Sequence, residues 1–269
     1  MQKRTLIAVL ALVLTIAIRS QAQSDDLAGI AHVAFRVADL EKSRQFYETL
    51  GFEKPFEFSE GGKVSELFIK INDRQFIELY PKTQDSQALG FMHVCFEVTD
   101  IESLRNAYIK HGLTPPESKK FRAGNLLFVL HDPEGQLVEY TQYLPDSMHT
   151  ADRGQHLGEK RISIHLQAAA TPAKDPALQR SFYIEKLGFK AASPGSDALR
   201  LPGNSGDELD LQPPSSKSQI AFFVDDVKRT ADVLRQRGLS PQVERDATTL
   251  TDPDGNLVIL RSTQASPKP

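Results

Sequence analysis

The chain repeats one short unit four times, and this repetition constrains the fold more than any other feature of the sequence. Each copy contains a helix-like stretch that begins after an aspartate and ends at a glycine: Asp39 to Gly51, Asp100 to Gly112, Asp175 to Gly188, and Asp226 to Gly238. Aspartate caps free N–H groups at a helix start, and glycine adopts the left-handed conformation at its end. One strand-like run precedes each helix and two or three follow it, so the sequence predicts an α+β fold of four βαβββ modules.

The segments between the modules indicate how they pair. Tight hairpin turns are predicted at Asp132-Pro133-Glu134-Gly135 and at Asp252-Pro253-Asp254-Gly255, because proline fixes the first turn angle and glycine allows positive φ. Residues 144–160 are polar and have no apolar period, as expected of an interdomain linker. Modules 1 and 2 therefore form a first domain over residues 29–143, and modules 3 and 4 a second over residues 161–263. Each pairing encloses the sheet faces that no helix covers.

The first 22 residues predict a signal peptide that is removed on export. Lys3 and Arg4 precede an apolar run from residue 6 to residue 18, and Ser20-Gln21-Ala22 has small residues at the spacing that a signal peptidase accepts. A permanent membrane anchor is the alternative, but this run of about 13 residues is shorter than the ~20 that cross a bilayer as a helix. We therefore expect an exported protein, periplasmic or secreted, with no membrane contact after cleavage.

Composition excludes two further possibilities. The sequence has 32 basic and 35 acidic residues, and removal of the signal segment takes away cations only, so the mature protein is acidic. An acidic protein is poorly suited to nucleic acid, whose binding depends on neutralising phosphates. Cys95 is the only cysteine in the sequence, so an exported chain has no internal disulfide and depends on its apolar cores.

Two histidines and two glutamates share one predicted face of the first domain. Successive side chains of a strand point to opposite faces, and the wholly apolar set of each strand must pack under the helices. The other set faces the cleft, and it contains His32, Glu78, His93 and Glu139. The two histidines are 61 residues apart, as are the two glutamates, so the pairs occupy equivalent positions in modules 1 and 2.

Convergence of these side chains in a partly buried cleft predicts a metal site. Two carboxylates taken out of water are costly unless a cation neutralises them. One divalent metal ion would do so, and mixed nitrogen and oxygen ligands suit Zn, Ni, Co, Mn or Fe(II), among which the sequence does not choose. The alternative is that the carboxylates pair with Arg36 or a lysine and need no ion.

The stretches that carry these residues resemble the vicinal oxygen chelate superfamily, which includes glyoxalase I, extradiol ring-cleaving dioxygenases, fosfomycin resistance proteins and bleomycin-binding proteins. They read HVAFRVADLEKSRQFYETLGF, FIELYP, HVCFEVTD and DPEGQLVEY. The resemblance covers almost all of residues 29–143 and, more faintly, residues 161–263. It implies that the metal positions of the family, all filled as in bacterial glyoxalase I, are His32, Glu78, His93 and Glu139.

Resemblance to glyoxalase I also implies roles for individual residues. In such enzymes the metal polarises a bound oxygen and a carboxylate of the site moves the proton. Here that role would fall to Glu139, with Glu78 as its counterpart. Arg36 matches a position at which glyoxalase I binds a substrate carboxylate, and its other interpretation is a solvated cation at the end of a strand.

The second domain departs from this pattern. Aligned on Phe182-Tyr183 and on the hairpin turn, its four positions become His165, Asp210, Gln219 and Ile259. Isoleucine cannot ligate a metal and glutamine is a weak ligand, so we expect no catalytic metal there. Familiar extradiol dioxygenases hold their iron in the C-terminal domain, which disfavours that reaction for this chain.

Three functional hypotheses follow from the sequence. The first is an exported metal-dependent glyoxalase-type lyase or isomerase that acts on a small oxygen-bearing substrate. The second is an extradiol-type ring-cleaving dioxygenase, and the third is a protein that binds or sequesters a small molecule without turnover. All three predict a small-molecule partner and no nucleic acid. Modules can pair within one chain or between chains, so the repeat is compatible with a homodimer.

Overall fold

The computed structural model describes residues 26–262, and the predicted signal peptide lies outside this range. The first pair of modules forms one eight-stranded sheet. Module 1 contains β1 (Leu27–Val37), α1 (Leu40–Thr49), β2 (Glu57–Glu60), β3 (Lys63–Lys70) and β4 (Phe76–Pro81). Module 2 contains β5 (Gly90–Val98), α2 (Ile101–Lys110), β6 (Lys119–Lys120), β7 (Leu126–His131) and β8 (Leu137–Gln142).

The second pair of modules forms another eight-stranded sheet after a short helix, α3 (Met148–Ala151). Module 3 contains β9 (Leu166–Pro172), α4 (Pro176–Ser181), a π-helical turn (Phe182–Lys186), β10 (Lys190–Ala191), β11 (Ala198–Arg200) and β12 (Glu208–Gln212). Module 4 contains β13 (Gln219–Phe223), α5 (Val227–Gln236), β14 (Gln242–Val243), β15 (Ala247–Thr251) and β16 (Leu257–Arg261). Within residues 26–262, no helix is both long and apolar enough to cross a bilayer.

In each sheet the two modules meet at their first strands. The strand order is β2-β3-β4-β1-β5-β8-β7-β6 in the first sheet and β10-β11-β12-β9-β13-β16-β15-β14 in the second. β1 pairs antiparallel with β5, whereas β1 is parallel to β4 and β5 is parallel to β8. The two modules of a domain are therefore arranged about a pseudo-twofold axis, which confirms the predicted fold class.

The helices of the modules begin at the predicted aspartates. The side chains of Asp39, Asp100 and Asp226 each accept a hydrogen bond from the backbone N–H three residues later, and that of Asp175 accepts from the N–H groups two and three residues later. After α1, Gly51 has a φ of 89°, and a Cβ at this position would lie 2.3 Å from the carbonyl oxygen of Lys160. Glycine is needed here both to end the helix and to admit a close backbone contact.

The helix of module 3 differs from the regular helix that the sequence predicts. After α4 the chain forms a π-helical turn, in which the N–H of Leu187 bonds to the carbonyl oxygen of Phe182 at 3.4 Å. The cause is one additional residue, because FYIEKLGF stands here where module 1 has FYETLGF. The π-helical turn is wider than an α-helical one and accommodates the additional residue. The matching side chains of both motifs are consequently buried, namely Tyr47, Leu50 and Phe52 in module 1 and Tyr183, Leu187 and Phe189 in module 3.

One apolar core extends through both domains. Alternate residues of β1 (Val33, Phe35 and Val37) belong to it, as the strand pattern predicts. The rings of Phe52 and Phe222, one from each domain, have centroids 5.2 Å apart, and those of Phe96 and Phe189 are 5.5 Å apart. The two domains therefore share buried apolar surface as well as a linker.

The two hairpin turns cap helix entries in the opposite domain. Glu134, in the turn of module 2, accepts hydrogen bonds from the backbone N–H groups of Lys174 and Asp175 at 2.8 and 2.7 Å, just before α4. Asp254, in the turn of module 4, accepts one from the N–H of Ala38 at 3.0 Å, just before α1. The turn of each domain thus bonds to the start of a helix in the other domain, as the pseudo-symmetry of the chain requires, and these hydrogen bonds connect the domains at two places.

Residues 144–160, predicted as a linker, contain α3 and pack against the first domain. Lys70 of β3 is buried, and its Nζ donates to the carboxylate of Asp152 at 2.7 Å and to the carbonyl oxygens of Asp152 and Gln155 at 2.6 and 2.8 Å. His149 of α3 is also buried. The segment thus forms part of the wall of the first domain.

Candidate metal and substrate site

The structure brings the four predicted side chains together on the first sheet. The Nε2 atoms of His32 and His93 are 3.2 Å apart, and Oε2 of Glu139 lies 3.6 and 3.4 Å from them. Glu78 contacts a different edge of His32, with Oε1 3.2 Å from Nδ1, and its Oε2 lies 3.8 Å from Nε2 of His93. With Cys95, the four side chains thus form two overlapping groups of candidate ligands, His32 with Glu78 and His93, and His32 with Cys95 and Glu139, and the ligand atoms of each group lie within 4.8 Å of one another.

Strand register explains why these side chains converge. The strands β4, β1, β5 and β8 are adjacent in the sheet. Across the β1–β5 pair, His32 lies opposite Cys95, and His93 lies opposite Ala34. The two glutamates lie beside Ala34 on β4 and beside Cys95 on β8. Residues directly opposite or two apart share a face of a sheet, so the four side chains project from one face of four neighbouring strands.

Burial controls the protonation of this cluster. It lowers the pKa of His32 to about 3 and that of His93 to about 4, so both imidazoles are neutral at pH 7. Burial raises the pKa of Glu78, to which the charges of Glu66 and Glu139 also contribute, and it raises the pKa of Glu139. Within residues 26–262, the only ion-pair contacts of Glu78 and Glu139 are with these histidines. No lysine or arginine of that range therefore pairs with them.

The donor set fits a divalent metal ion. A metal bound to nitrogen and oxygen at about 2.0–2.2 Å separates adjacent ligand atoms by about 3.0–3.5 Å. The Nε2 atoms of the two histidines and Oε2 of Glu139 already have separations of 3.2 to 3.6 Å. Neutral imidazoles offer lone pairs, and the buried carboxylates lack a counter-cation. Cys95 adds a thiol, because Sγ lies within 4.8 Å of ligand atoms of His32 and Glu139.

Tyr80 connects this cluster to a third carboxylate, Glu66, which sequence reasoning missed. Its hydroxyl oxygen lies 2.9 Å from Oε1 of Glu66 and 3.0 Å from Oε2 of Glu78. A hydroxyl has one proton, so both contacts are hydrogen bonds only when one carboxyl group is protonated. Burial raises the pKa of Glu66, which is compatible with that state. Strand alternation could have indicated Tyr80, two residues after Glu78, but Glu66 lies on another strand.

A cavity of about 270 Å³ opens from the cluster. Its lining includes His32, Glu78 and Glu139 at one end. Most of the remaining wall is aromatic or aliphatic and comes from β2, β3, β7 and the adjacent segments: Phe58, Phe68, Phe121, Ala123, Leu127, Val129 and Tyr143. The candidate metal ligands therefore border a cavity whose wall is mainly apolar.

Arg122 provides a cation at this cavity. It lies between β6 and β7 and reaches across to the β2–β3 hairpin, where it donates to Oε1 of Glu60 and to the carbonyl oxygen of Ser59, both at 3.0 Å. Its guanidinium carbon is 4.3 Å from the ring centroid of Phe58, a cation–π contact. Arg122 thus bridges the two outer hairpins of the sheet.

Arg36, predicted to bind substrate, lies outside this lining. It borders a separate depression together with Glu60, Lys63 and Tyr80, and its Nη1 lies 3.4 Å from the carbonyl oxygen of Ala88. Tyr80 is common to the cavity and the depression. A role of Arg36 toward substrate therefore stays a prediction, and Arg122 is the arginine that borders the cavity.

His149 and Asn125 complete the cavity, and neither was recognised in the sequence. Nδ2 of Asn125 lies 2.9 Å from Nδ1 of His149. The imidazole stacks on Tyr143 at an interplanar angle of 19° and meets the edges of neighbouring phenylalanines. His149 sits in a polar segment without periodicity, so no local pattern marked it as buried.

The second domain corrects one part of the sequence alignment. Ala170 of β9 lies beside Asp210 of β12, as Ala34 lies beside Glu78 in the first domain. The residue two positions earlier, which corresponds to His32, is therefore Ala168. The alignment to His165 was wrong because that residue precedes β9, where its Nε2 lies 2.6 Å from Oδ1 of Asp207.

In the second domain an arginine two residues after Ile259, the position that corresponds to Glu139, contacts buried acid. Arg261 donates to Oε1 of Gln167 at 2.8 Å and to Oε2 of the buried Glu208 at 3.0 Å. Burial raises the pKa of the nearby Asp210 to about 6. Gln219 and Ile259 lie on β13 and β16. A side-chain cation thus neutralises buried acid in this domain, in contrast to the first.

The fold and the first cleft define a two-domain protein of paired βαβββ modules with one candidate metal centre. Residues 29–140 match the family described as "Glyoxalase/Bleomycin resistance protein/Dioxygenase superfamily". The chain is also 34% identical over 135 residues to mitochondrial methylmalonyl-CoA epimerase of Bos taurus, an alignment that covers 44% of this chain and 75% of the relative. The chain belongs to this superfamily, which confirms the resemblance seen in its motifs.

Solved structures support the two-domain arrangement. The 2,3-dioxygenase LapB from Pseudomonas sp. KL28 superposes with a TM-score of 0.64 at 18% identity, covering 91% of this chain and 95% of that one. The Mn(II)-bound glyoxalase from Novosphingobium aromaticivorans gives a TM-score of 0.65 at 18% identity, covering 88% and 82%. At these identities the similarity establishes the fold alone.

Proposed function

We propose that the protein is an exported, metal-dependent enzyme of glyoxalase type, an isomerase or lyase that acts on a small oxygen-bearing substrate. The observation that carries this proposal is the meeting of two neutral imidazoles with two buried carboxylates that no lysine or arginine of residues 26–262 neutralises. His32, Glu78, His93 and Glu139 would hold one divalent ion. The acidic charge of the mature chain supports a small-molecule partner and disfavours nucleic acid.

The chemistry suited to this site is proton transfer beside a carbonyl group. A divalent ion acts as a Lewis acid that makes the neighbouring C–H group more acidic. Glu139 lies near Nε2 of both histidines, whereas Glu78 contacts Nδ1 of His32 and lies 3.8 Å from Nε2 of His93, so the two carboxylates occupy different positions around the histidine pair. A buried carboxylate with a raised pKa is a suitable base for such a proton. We assign the transfer to Glu139, with Glu78 as its counterpart.

The similarity to methylmalonyl-CoA epimerase supports an isomerase over other reactions. An epimerase inverts one stereocentre of its substrate, which requires removal and return of a proton at that carbon when the neighbouring group is a carbonyl. The aligned region covers the length of one domain, and the first domain carries the four candidate ligands. We therefore place the reaction in the first domain.

Elemental analysis of the purified protein tests the metal site. Wild type is expected to contain about one divalent ion per chain, and His93→Ala is expected to lose most of it, because one of two imidazole ligands is gone. His165→Ala is the matched control, since this histidine lies outside both clefts and should leave metal content unchanged. Equal metal content in wild type and His93→Ala would contradict the site.

Solvent exchange tests the reaction. Metal-loaded protein is expected to exchange an α-proton of methylmalonyl-CoA, a hemithioacetal or an α-hydroxyketone with deuterium from the solvent, and the exchange is followed by NMR. Absence of exchange across this panel, with metal bound, would exclude the isomerase or lyase.

The other two hypotheses make different predictions in the same preparations. A ring-cleaving dioxygenase would consume oxygen with a catechol after Fe(II) loading. A binding protein would retain ligand affinity in Glu139→Ala without any turnover in wild type. The complete set of two histidines and two glutamates favours the first hypothesis, because it supplies a base in addition to ligands.

Export is proposed from the N-terminal segment, whose cationic start, short apolar run and small-residue site are typical of a signal peptide. Mass spectrometry of protein expressed with its full N-terminus is expected to show cleavage after Ala22. An intact N-terminus in the exported fraction would contradict this prediction. The same samples, analysed by native mass, test for a homodimer.

A further inference from the structure

The cavity beside the candidate metal centre is bordered mainly by aromatic and aliphatic side chains, which come from both ends of the sheet. Phe58 and Phe68 come from β2 and β3, and Leu127 and Val129 come from β7, near the other end of the sheet. Arg122 joins these two ends, so the walls close around the space. A volume of about 270 Å³ corresponds to roughly nine water molecules at ~30 Å³ each.

His149 lines the same cavity with a fixed tautomer. The backbone N–H of Leu144 can only donate, so Oδ1 of Asn125, 3.4 Å away, accepts from it. The amide nitrogen of Asn125 therefore faces His149 and donates to Nδ1 at 2.9 Å. Burial lowers the pKa of His149 to about 3, so the ring is neutral and its proton resides on Nε2.

The Nε2–H group of His149 has no acceptor among the residues that the structure describes. The side chain is 4% exposed, and Nε2 is buried without a hydrogen-bond partner. Leaving a buried donor unpaired is costly, so such a group in a native protein requires an explanation, and one explanation is that it donates to a bound molecule. His149 belongs to the lining of the cavity that His32, Glu78 and Glu139 also line.

We propose that this cavity binds a substrate with an oxygen-bearing head at the metal cluster, a flat ring-sized apolar body, and a hydrogen-bond acceptor that takes the Nε2–H of His149. This inference rests on the proposed function, and it adds the substrate class and a specificity-determining residue. Asn125 positions the donor by holding the tautomer. The aromatic and aliphatic walls select the ring by burying its faces.

Hydroxamates provide probes whose two oxygens chelate a metal without turnover. Acetohydroxamate has no ring, benzohydroxamate has one, and its acetyl derivatives at the meta and para positions add a carbonyl acceptor. Each is titrated calorimetrically into the Mn(II)-loaded full chain. Benzohydroxamate is expected to bind at least about tenfold more tightly than acetohydroxamate because the ring loses water-exposed apolar surface. One acetyl isomer is expected to bind more tightly still.

Variants of His149 test the donor. His149→Phe keeps an aromatic ring but removes Nε2–H, and it is expected to weaken the preferred acetyl derivative about fivefold to tenfold while leaving benzohydroxamate within about twofold. His149→Gln restores an amide donor and should recover part of the preference. His131→Phe is the matched control, because His131 is exposed at the end of β7 and outside the cavity lining. It should bind every probe like wild type.

The outcomes separate this inference from the proposed function. Equal affinity for acetohydroxamate and benzohydroxamate overturns the apolar slot while the metal site stands. Unchanged binding of both acetyl derivatives in His149→Phe overturns the role of the donor. Failure of all hydroxamates to bind a chain that also retains no Mn(II) overturns the proposed function and this inference together.

Discussion

Burial has opposite consequences for the imidazoles and the carboxylates of the first domain. It lowers the pKa of His32, His93 and His149 and raises that of Glu78 and Glu139. In both cases the neutral form is favoured, as low dielectric surroundings require. A cation bound at the candidate metal centre would oppose the effect of burial on Glu78 and Glu139, because it favours ionised carboxylates, and it would keep His32 and His93 neutral. His149 is not one of the candidate metal ligands, and its neutral ring carries the Nε2–H donor that we propose binds the substrate.

The neutral state of His149 makes stability depend on pH. Its folded pKa of about 3 lies below the usual 6.5, so between these values the unfolded chain binds more protons and stability falls as pH falls. Besides burial, the charges of His32, Asp152 and Lys70 act on the ring. His149→Phe removes this contribution and is expected to lose less stability between about pH 6.5 and pH 5, by about 2 kcal/mol.

Denaturant unfolding at a series of pH values measures this difference. The remaining histidines contribute equally in both proteins, so they cancel in the comparison. His131→Phe again serves as control, because it makes the same replacement at an exposed position at the end of β7. Parallel curves for wild type and His149→Phe would show that the ring is accessible to protons in the folded protein.

Among the elements, the segment with α3 depends on one buried lysine. Nζ of Lys70 bonds to Asp152 and Gln155, and it also lies 2.9 Å from Oδ1 of Asp73. Because α3 carries His149, this attachment also positions the inner wall of the cavity. The side chain of Lys70 on β3 thus connects the interdomain segment to the first domain next to the site.

Lys70→Met is expected to destabilise the protein by about 3–5 kcal/mol, since it leaves a buried carboxylate and two carbonyl oxygens without their donor. The loss is measured by denaturant unfolding, and faster amide exchange is expected over residues 148–155. Lys63→Met, at the exposed start of the same strand, is the control and should change neither quantity. Slow exchange over residues 148–155 in Lys70→Met would mean that other contacts hold the segment.

For the whole molecule, the shared core and the exchanged turn caps predict one cooperative unit. Phe52 and Phe96 of the first domain contact Phe222 and Phe189 of the second. The carboxylates of Glu134 and Asp254 each bond to backbone N–H groups of the other domain. Neither domain can unfold without exposing apolar surface of the other, so partial unfolding is unfavourable.

Glu134→Ala is expected to lower the thermal midpoint of the entire protein in a single transition, because two N–H groups before α4 lose their acceptor. Circular dichroism and hydrogen exchange in both domains measure this. Glu244→Ala, an exposed acidic residue in the second domain, is the control and should leave the midpoint unchanged. Two separate transitions, with only the second domain shifted, would contradict the shared unit.

Much of the fold could be predicted because its signals are local. Asp39 and Gly51 mark a helix through contacts within a few residues, and strand alternation assigns a face to His32 or Glu78 whatever the partner strand. The repeat distance then relates modules 1 and 2. Predictions failed where a single residue was added or displaced, as in the π-helical turn of module 3 and in the assignment of His165 instead of Ala168.

The sequence by itself determined the four modules, their pairing and the set of two histidines and two glutamates that faces one cleft. Helix caps, turns and period-two alternation depend on residues that are close in the sequence, so they can be recognised without the fold. Only the tertiary structure decided that Glu66, Arg122, Asn125 and His149 border the same space. Glu66 lies on β3, Arg122 and Asn125 lie in the connection between β6 and β7, and His149 lies on α3, so their positions in the sequence do not relate them. Their proximity results from curvature of the sheet and docking of α3, which depend on contacts between residues far apart in the chain.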